Sequence, residues 1–243
     1  MSSPGSQAVM PVFDSDRYRD AYRRINGMVV VGEGLADRHF RLLAALLPGD
    51  RQELLALGAM EARHASDFVG CGRHLGVKAD VGLARRLLAP LHHQFMEAAA
   101  GRDPVACLVI QCLIIECFAV AAYRLYLPVA DAYARPITRR VLRDEAEHLS
   151  YGERWLHGCF QEVAARVIRC SRRAVPMALG MLAELGPDLE ILGIDPLHLV
   201  ADFALAFQGS LEAIGFEAAE ARRLVTRLAC LPLTAAAVPA PAP

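Results

Sequence analysis

Two glutamates stand where an ionised side chain is hardest to accommodate, and the same pattern follows each of them. Glu33 lies inside the apolar run MVVVGEGLA and Glu116 inside LIIECFA; Glu61-Ala-Arg-His64 and Glu145-Ala-Glu-His148 come 28 and 29 residues later. A carboxylate in apolar surroundings is strongly disfavoured unless it is neutralised, paired or bound to a cation. From Val105 to Leu127 the chain is apolar and long enough to cross a bilayer, but Glu116 near its centre argues for a protein interior in which that carboxylate has a partner. Each Glu-x-x-His puts a carboxylate and an imidazole one turn apart on a single helical face. One such motif arises easily by chance. Two, each preceded by an isolated glutamate in an apolar run, form a repeat.

Apolar residues recur at three- and four-residue spacing and the alternation of strands is absent, so the fold class expected is all-α. A first helix runs from about Asp16 to Leu47 and stops at Pro48-Gly49. A second starts at Asp50, with Glu53 placed as in a capping box, and reaches Leu75-Gly76. A third spans Asp80 to about Ala100, with a kink expected at Pro90. The fourth opens at Asp103-Pro104 and continues to Leu127-Pro128, and a fifth covers roughly Ala130 to Cys159. Shorter helices follow to about Ala229, with Gly186-Pro187 and Ile194-Asp195-Pro196 read as turns between them. One domain over 13–230 is expected, with a flexible N-terminus (1–12) and a disordered tail (231–243).

Helix geometry brings the repeated groups together. Glu33 lies 15 residues before Pro48 and Glu61 12 after Gly49, while Glu116 lies 12 before Pro128 and Glu145 15 after Ala130. At about 1.5 Å per residue, each pair travels roughly 20 Å from its turn and reaches one level on antiparallel helices. Two such hairpins, crossed over by the third helix, enclose four carboxylates and two imidazoles, the ligand set of di-iron and di-manganese carboxylate bundles. Four carboxylates balance two divalent ions, and hard oxygen donors with two imidazoles suit iron or manganese. Asp144 is a candidate to hold a histidine nitrogen, and Glu147 points to another face. His39, His74, His92, His93, His157 and His198 lack the paired arrangement.

The remaining composition narrows the function. With 243 residues, 54% hydrophobic, a net charge of −1 and no basic stripe interleaved with aromatics, the chain offers no electrostatic reason to bind nucleic acid. The start MSSPGSQAVMPVFDSD lacks the basic and apolar segments of a signal peptide, so a cytoplasmic, not membrane-spanning, protein is expected. The seven cysteines include no C-x-x-C pair and read as reduced, small apolar residues; Cys71, seven residues after His64, is the one held open as something more.

The stretches CLVIQCLIIECFAVAAYRLYLPVADAYAR, YRDAYRRIN, LRDEAEHLSYGERWL and EAIGF resemble the cyanobacterial aldehyde-deformylating oxygenases, or fatty aldehyde decarbonylases, over about Phe13 to Ala229. The resemblance implies a ferritin-like helical bundle with additional C-terminal helices, and two iron ions per chain on Glu33, Glu61, His64, Glu116, Glu145 and His148. It also implies conversion of long-chain fatty aldehydes to alkanes or alkenes one carbon shorter plus formate, with dioxygen as co-substrate and an external electron donor. A ferredoxin-type reductase system and the fatty acyl-carrier-protein reductase that supplies aldehyde are the implied partners. Gly32 and Gly34, and Ala119, Ala122 and Tyr123, are candidates to leave room for the substrate; tight helix packing is the alternative meaning of the glycines and a packed core that of the alanine stripe. Phe40 stands where family members commonly have tyrosine, and Ala146 replaces another tyrosine inside the second motif, which bears on rate and chain-length preference. Other di-metal oxidases and a ferritin-like iron store are the competing functions.

Overall fold

The computed structural model describes residues 11–235, with side chains through 229, and every regular element among them is helical. Helix α1 (Asp16–Leu46) starts at Ser15, whose side chain accepts the Tyr18 N–H, and a single 3-10 turn (Pro48–Asp50) reverses the chain into α2 (Arg51–His74). Helix α3 (Val81–Ala100) is capped by Asp80 and continues through Pro90. Next comes one long helical stretch of three parts: α4 (Pro104–Leu108), a π-helical segment (Val109–Ile115) and α5 (Glu116–Tyr126). Helices α6 (Ala134–Gly158), α7 (Phe160–Ile191), α8 (Pro196–Ile214) and α9 (Ala218–Ala235) complete the chain.

The expected hairpins are present. Helix α1 packs along α2, α5 and the π-helical segment pack against α6, and α2 meets α6 across the bundle. Helix α3 crosses over against α1, while α7 closes the opposite side on α1, α3 and the π-helical segment. One contiguous set of buried apolar side chains extends from Tyr18 to Leu228. Pro104–Tyr126 owes its membrane-like apolarity to this position, 78% of its most apolar 18-residue window being buried inside the bundle.

Several boundaries differ from expectation. The chain after Cys159 begins not with short helices but with the 32-residue α7, which runs through Pro176 and Pro187. A proline inside a helix removes a backbone hydrogen bond and costs about 3 kcal/mol. Leu185 and Leu189, buried on either side of Pro187, and the hydrogen bond from Arg24 Nε on α1 to Asp188 Oδ2 (2.8 Å) hold this part of α7 in place. Ile194-Asp195-Pro196 is a turn as expected. No capping box forms at α2: the Asp50 side chain takes the Tyr151 hydroxyl (3.1 Å) and Glu53 pairs with Arg154. Helix α9 runs to Ala235, so 231–235 are helical rather than disordered tail; 1–10 and 236–243 lie outside the described residues.

The contact that sets α6 against the π-helical segment is made through a glycine. A Cβ at Gly152 would lie 2.3 Å from the Cβ of Cys112. Gly152→Ala therefore forces two helices apart at the level of the buried glutamates, and a loss of about 1–3 kcal/mol in urea unfolding is expected. Unchanged stability would contradict so close an approach.

Candidate metal centre

Six side chains from four helical stretches converge in the bundle interior: Glu33 from α1, Glu61 and His64 from α2, Glu116 at the start of α5, and Glu145 and His148 from α6. Glu33 is 6% exposed and the other five at most 1%. They form two overlapping groups, Glu33–Glu61–His64–Glu145 and Glu61–Glu116–Glu145–His148, each with ligand-type atoms within 4.8 Å of one another, compact enough to hold a metal ion apiece. Glu61 and Glu145 belong to both.

The imidazoles turn the same nitrogen inward. His64 Nδ1 is 3.4 Å from Glu33 and from Glu61 and 3.5 Å from Glu145, while its Nε2 meets Asp144 Oδ2 at 3.0 Å. His148 Nδ1 is 2.9 Å from Glu145, 3.1 Å from Glu61 and 3.8 Å from Glu116. Asp144 therefore fixes the outer edge of His64, as expected for a group that orients a ligand. The outer nitrogen of His148 has no hydrogen-bond partner among the described residues, and Phe40, whose ring centroid lies 5.4 Å away, offers none. Ala146 and Glu147 are exposed on α6 and take no part. Cys71 is in neither group of ligand-type atoms and is a buried apolar-core thiol, pushed up to about 12 by desolvation.

Two further contacts come from the carboxylate edges. The Tyr123 hydroxyl donates to Glu33, and Gln111 Nε2 donates to Glu116 Oε1 at 2.8 Å. The second contact depends on the π-helical segment. In an α-helix, residues five apart point about 140° away from each other, whereas the wider π turn, with its i to i+5 hydrogen bonds, brings them to one face. Sequence patterning passed over Gln111 for this reason: no α-helical spacing makes it a neighbour of Glu116.

Three inward atoms, Glu61 Oε2, His64 Nδ1 and Glu145 Oε1, have no hydrogen-bond partner among the described residues. Leaving a buried polar atom unpaired costs roughly 1–3 kcal/mol, and a cation between these groups would satisfy all three. Protonation strain points the same way. Burial, then the neighbouring carboxylates, raises Glu61 well above the usual carboxylate range, and burial with Glu145 pushes Glu116 up to about 7. Burial disfavours a charged His64, but its carboxylate neighbours win and push it up to about 12; His148 is raised for the same reason. Burial also raises Glu145, yet its contacts with His148 and His64 leave it below the usual range. Without cations, the cluster stays folded by holding protons.

The cluster opens onto an apolar cavity of about 760 Å³, counting the part open to solvent. Met28, Val29, Gly32 and Ala36 of α1 form one wall, and Phe118, Ala119, Ala122 and Tyr123 of α5 another. Helix α2 contributes only Glu61, whereas α3 (Leu88, Leu91) and α7 (Ala178, Met181, Leu185) supply walls that the sequence did not point to. Gly32 faces the cavity, with open space where a Cβ would stand, while Gly34 is exposed and is not among the lining residues.

Residues 15–230 match the family model for long-chain fatty aldehyde decarbonylases. The chain belongs to that family. A solved structure of a protein with aldehyde deformylating oxidase activity from Synechococcus is 57% identical, covering 88% of this chain and 99% of its own, with a TM-score of 0.88. The aldehyde decarbonylase fold seen here is the ferritin-like bundle, with α7, α8 and α9 as the additional C-terminal helices.

A pH dependence follows for the metal-free protein. Glu61, Glu116, His64 and His148 all bind protons more tightly folded than unfolded, while His39 and His92, held neutral by burial, work the other way; the four outweigh the two, so the folded state holds more protons and stability falls as pH rises. The part owed to Glu116 is lost between its unfolded value and about 7, and that owed to His64 begins to fade above the ordinary histidine range. With chelator present, the melting temperature should drop from about pH 5 to about pH 8, and divalent metal should offset the drop. A metal-free melting temperature that rises over this interval would contradict the assignment.

Proposed function

We propose that this protein is an aldehyde-deformylating oxygenase, converting a long-chain fatty aldehyde to an alkane or alkene one carbon shorter and releasing the carbonyl carbon as formate. The observation that carries this reading is the meeting of a buried four-carboxylate, two-imidazole cluster with an apolar cavity in one bundle. Glu33 and His64 would hold one iron, Glu116 and His148 the other, with Glu61 and Glu145 reaching both. Iron bound there supplies activation of dioxygen, with electrons from an external donor of the ferredoxin-type reductase kind.

The chain's own residues bind, orient and keep the site dry. Burying an alkyl chain gains about 0.8 kcal/mol per methylene, so the apolar walls on α1, α3, α5 and α7 take the hydrocarbon part. The polar lining is confined to Gln111, Tyr123 and the glutamates, so the aldehyde carbonyl is the end drawn to the cluster. Tyr123 and Gln111, by donating to Glu33 and Glu116, hold two carboxylates in place and limit their movement when charge changes at the site. Excluding water strengthens these interactions and brings the reacting atoms together.

The reading includes one domain over 13–230, a protein working in the cytoplasm, and aldehyde supplied by a fatty acyl-carrier-protein reductase. Its test is anaerobic iron loading followed by long-chain aldehyde, dioxygen and reductant, with hydrocarbon followed by gas chromatography and formate measured in parallel. The two products should appear in equal amounts; iron oxidation without hydrocarbon would favour a different di-metal oxidase. Ala122 lines the cavity beside Tyr123, so Ala122→Phe should shift preference toward shorter aldehydes with iron content unchanged. Equal loss at every chain length would contradict a role in setting length.

A further inference from the structure

The hydrogen-bonded array does not end at Gln111. Gln111 Oε1 lies 2.6 Å from His39 Nδ1, and His39 Nε2 lies 2.9 Å from His92 Nδ1. Gln111 and His39 are buried and His92 is half-buried, so the series reaches from near the surface of α3, through α1, to the carboxylate of Glu116. Phe95 stacks on His39 with ring centroids 3.7 Å apart and holds its plane.

Donor and acceptor chemistry allows one assignment along this series. With cations in the cluster Glu116 is ionised and only accepts, so Gln111 presents its NH2 group to it and its carbonyl oxygen to His39. That oxygen also only accepts, so His39 carries its hydrogen on Nδ1. Burial pushes the His39 imidazolium down to about 3 and keeps the ring neutral, which leaves Nε2 as an acceptor for the Nδ1–H of His92. Neither histidine belongs to a Glu-x-x-His motif, and among the described residues neither makes a hydrogen bond or ion pair with the six clustered residues.

We infer that His39, backed by His92, is a positioning residue: it fixes the amide of Gln111 so that Glu116 Oε1 is taken and Glu116 Oε2 is turned to the metal centre. Glu116 Oε2 is the oxygen that faces His148 Nδ1, at 3.8 Å. Without the His39 donor, the amide is free to turn over and set its oxygen against that of Glu116, and the carboxylate loses its orientation. The inference rests on the proposal that the cluster holds metal.

The test uses the full metal-free chain with manganese(II) alone as probe, free ion being followed by electron paramagnetic resonance. His39→Leu keeps an apolar body against Phe95 but has no donor, whereas His39→Asn places an amide nitrogen where Nδ1 stood. His39→Leu should raise the dissociation constant about 10-fold or more while His39→Asn stays within ~3-fold of wild type, with the same helical circular dichroism in all three. Nitrogen-15 spectra of the histidine-labelled wild-type chain loaded with diamagnetic zinc(II) should find the His39 hydrogen on Nδ1, which carries the test by itself if the leucine variant does not fold. Leucine binding like wild type, asparagine binding as weakly as leucine, or a hydrogen on Nε2 would each overturn the inference. Wild-type protein that takes up no manganese would instead overturn the metal centre on which it rests.

Discussion

Four carboxylates held within a few ångströms of one another inside an apolar bundle are the constraint to which the rest of the structure answers. Glu33, Glu61, Glu116 and Glu145 cannot all ionise there unless positive charge joins them. Two imidazoles are present, and in the absence of metal they and the carboxylates share protons, which is why His64 and His148 are pushed up and Glu61 and Glu116 with them. Divalent cations remove that conflict and give partners to the inward atoms that have none. Two of the helices that gather the charge, α1 and α5, join α3 and α7 in enclosing an apolar cavity beside it, so a lipophilic substrate can meet the polar cluster directly.

Much of this is legible in the sequence because helical geometry is regular. The matched distances of Glu33 and Glu61 from Pro48-Gly49, and of Glu116 and Glu145 from the second turn, are enough to bring the four to one level. The face of each Glu-x-x-His is fixed by its three-residue spacing. Asp144, beside Glu145, was readable only as a candidate to hold a histidine nitrogen, and the ring it reaches is that of His64 on α2. The family resemblance adds substrate and chemistry, which no spacing reveals.

What was hidden depends on departures from regularity or on contacts between elements distant in sequence. The π-helical segment over Val109–Ile115 has no marker among its apolar side chains, and it brings Gln111 to the face of Glu116. Gly186-Pro187 suggested a turn, but packing of α7 on α1 and α3 overrides the local preference. The cavity walls on α3 and α7 were not visible, since Leu88, Ala178 and Met181 look like ordinary core residues until the helices are assembled. His39 looked like an unpaired histidine for the same reason.

The central claim is that the six clustered residues bind a pair of metal ions and that Glu116 is part of that set. Anaerobic titration of the metal-free chain with iron(II), in wild type and in Glu116→Gln, tests it most directly. Glutamine keeps the size and removes one negative charge, so wild type should saturate at about two ions per chain and the variant should fall short of that with its helical fold intact. A wild-type end point at one ion, or a variant that binds two as tightly as wild type, would contradict the account.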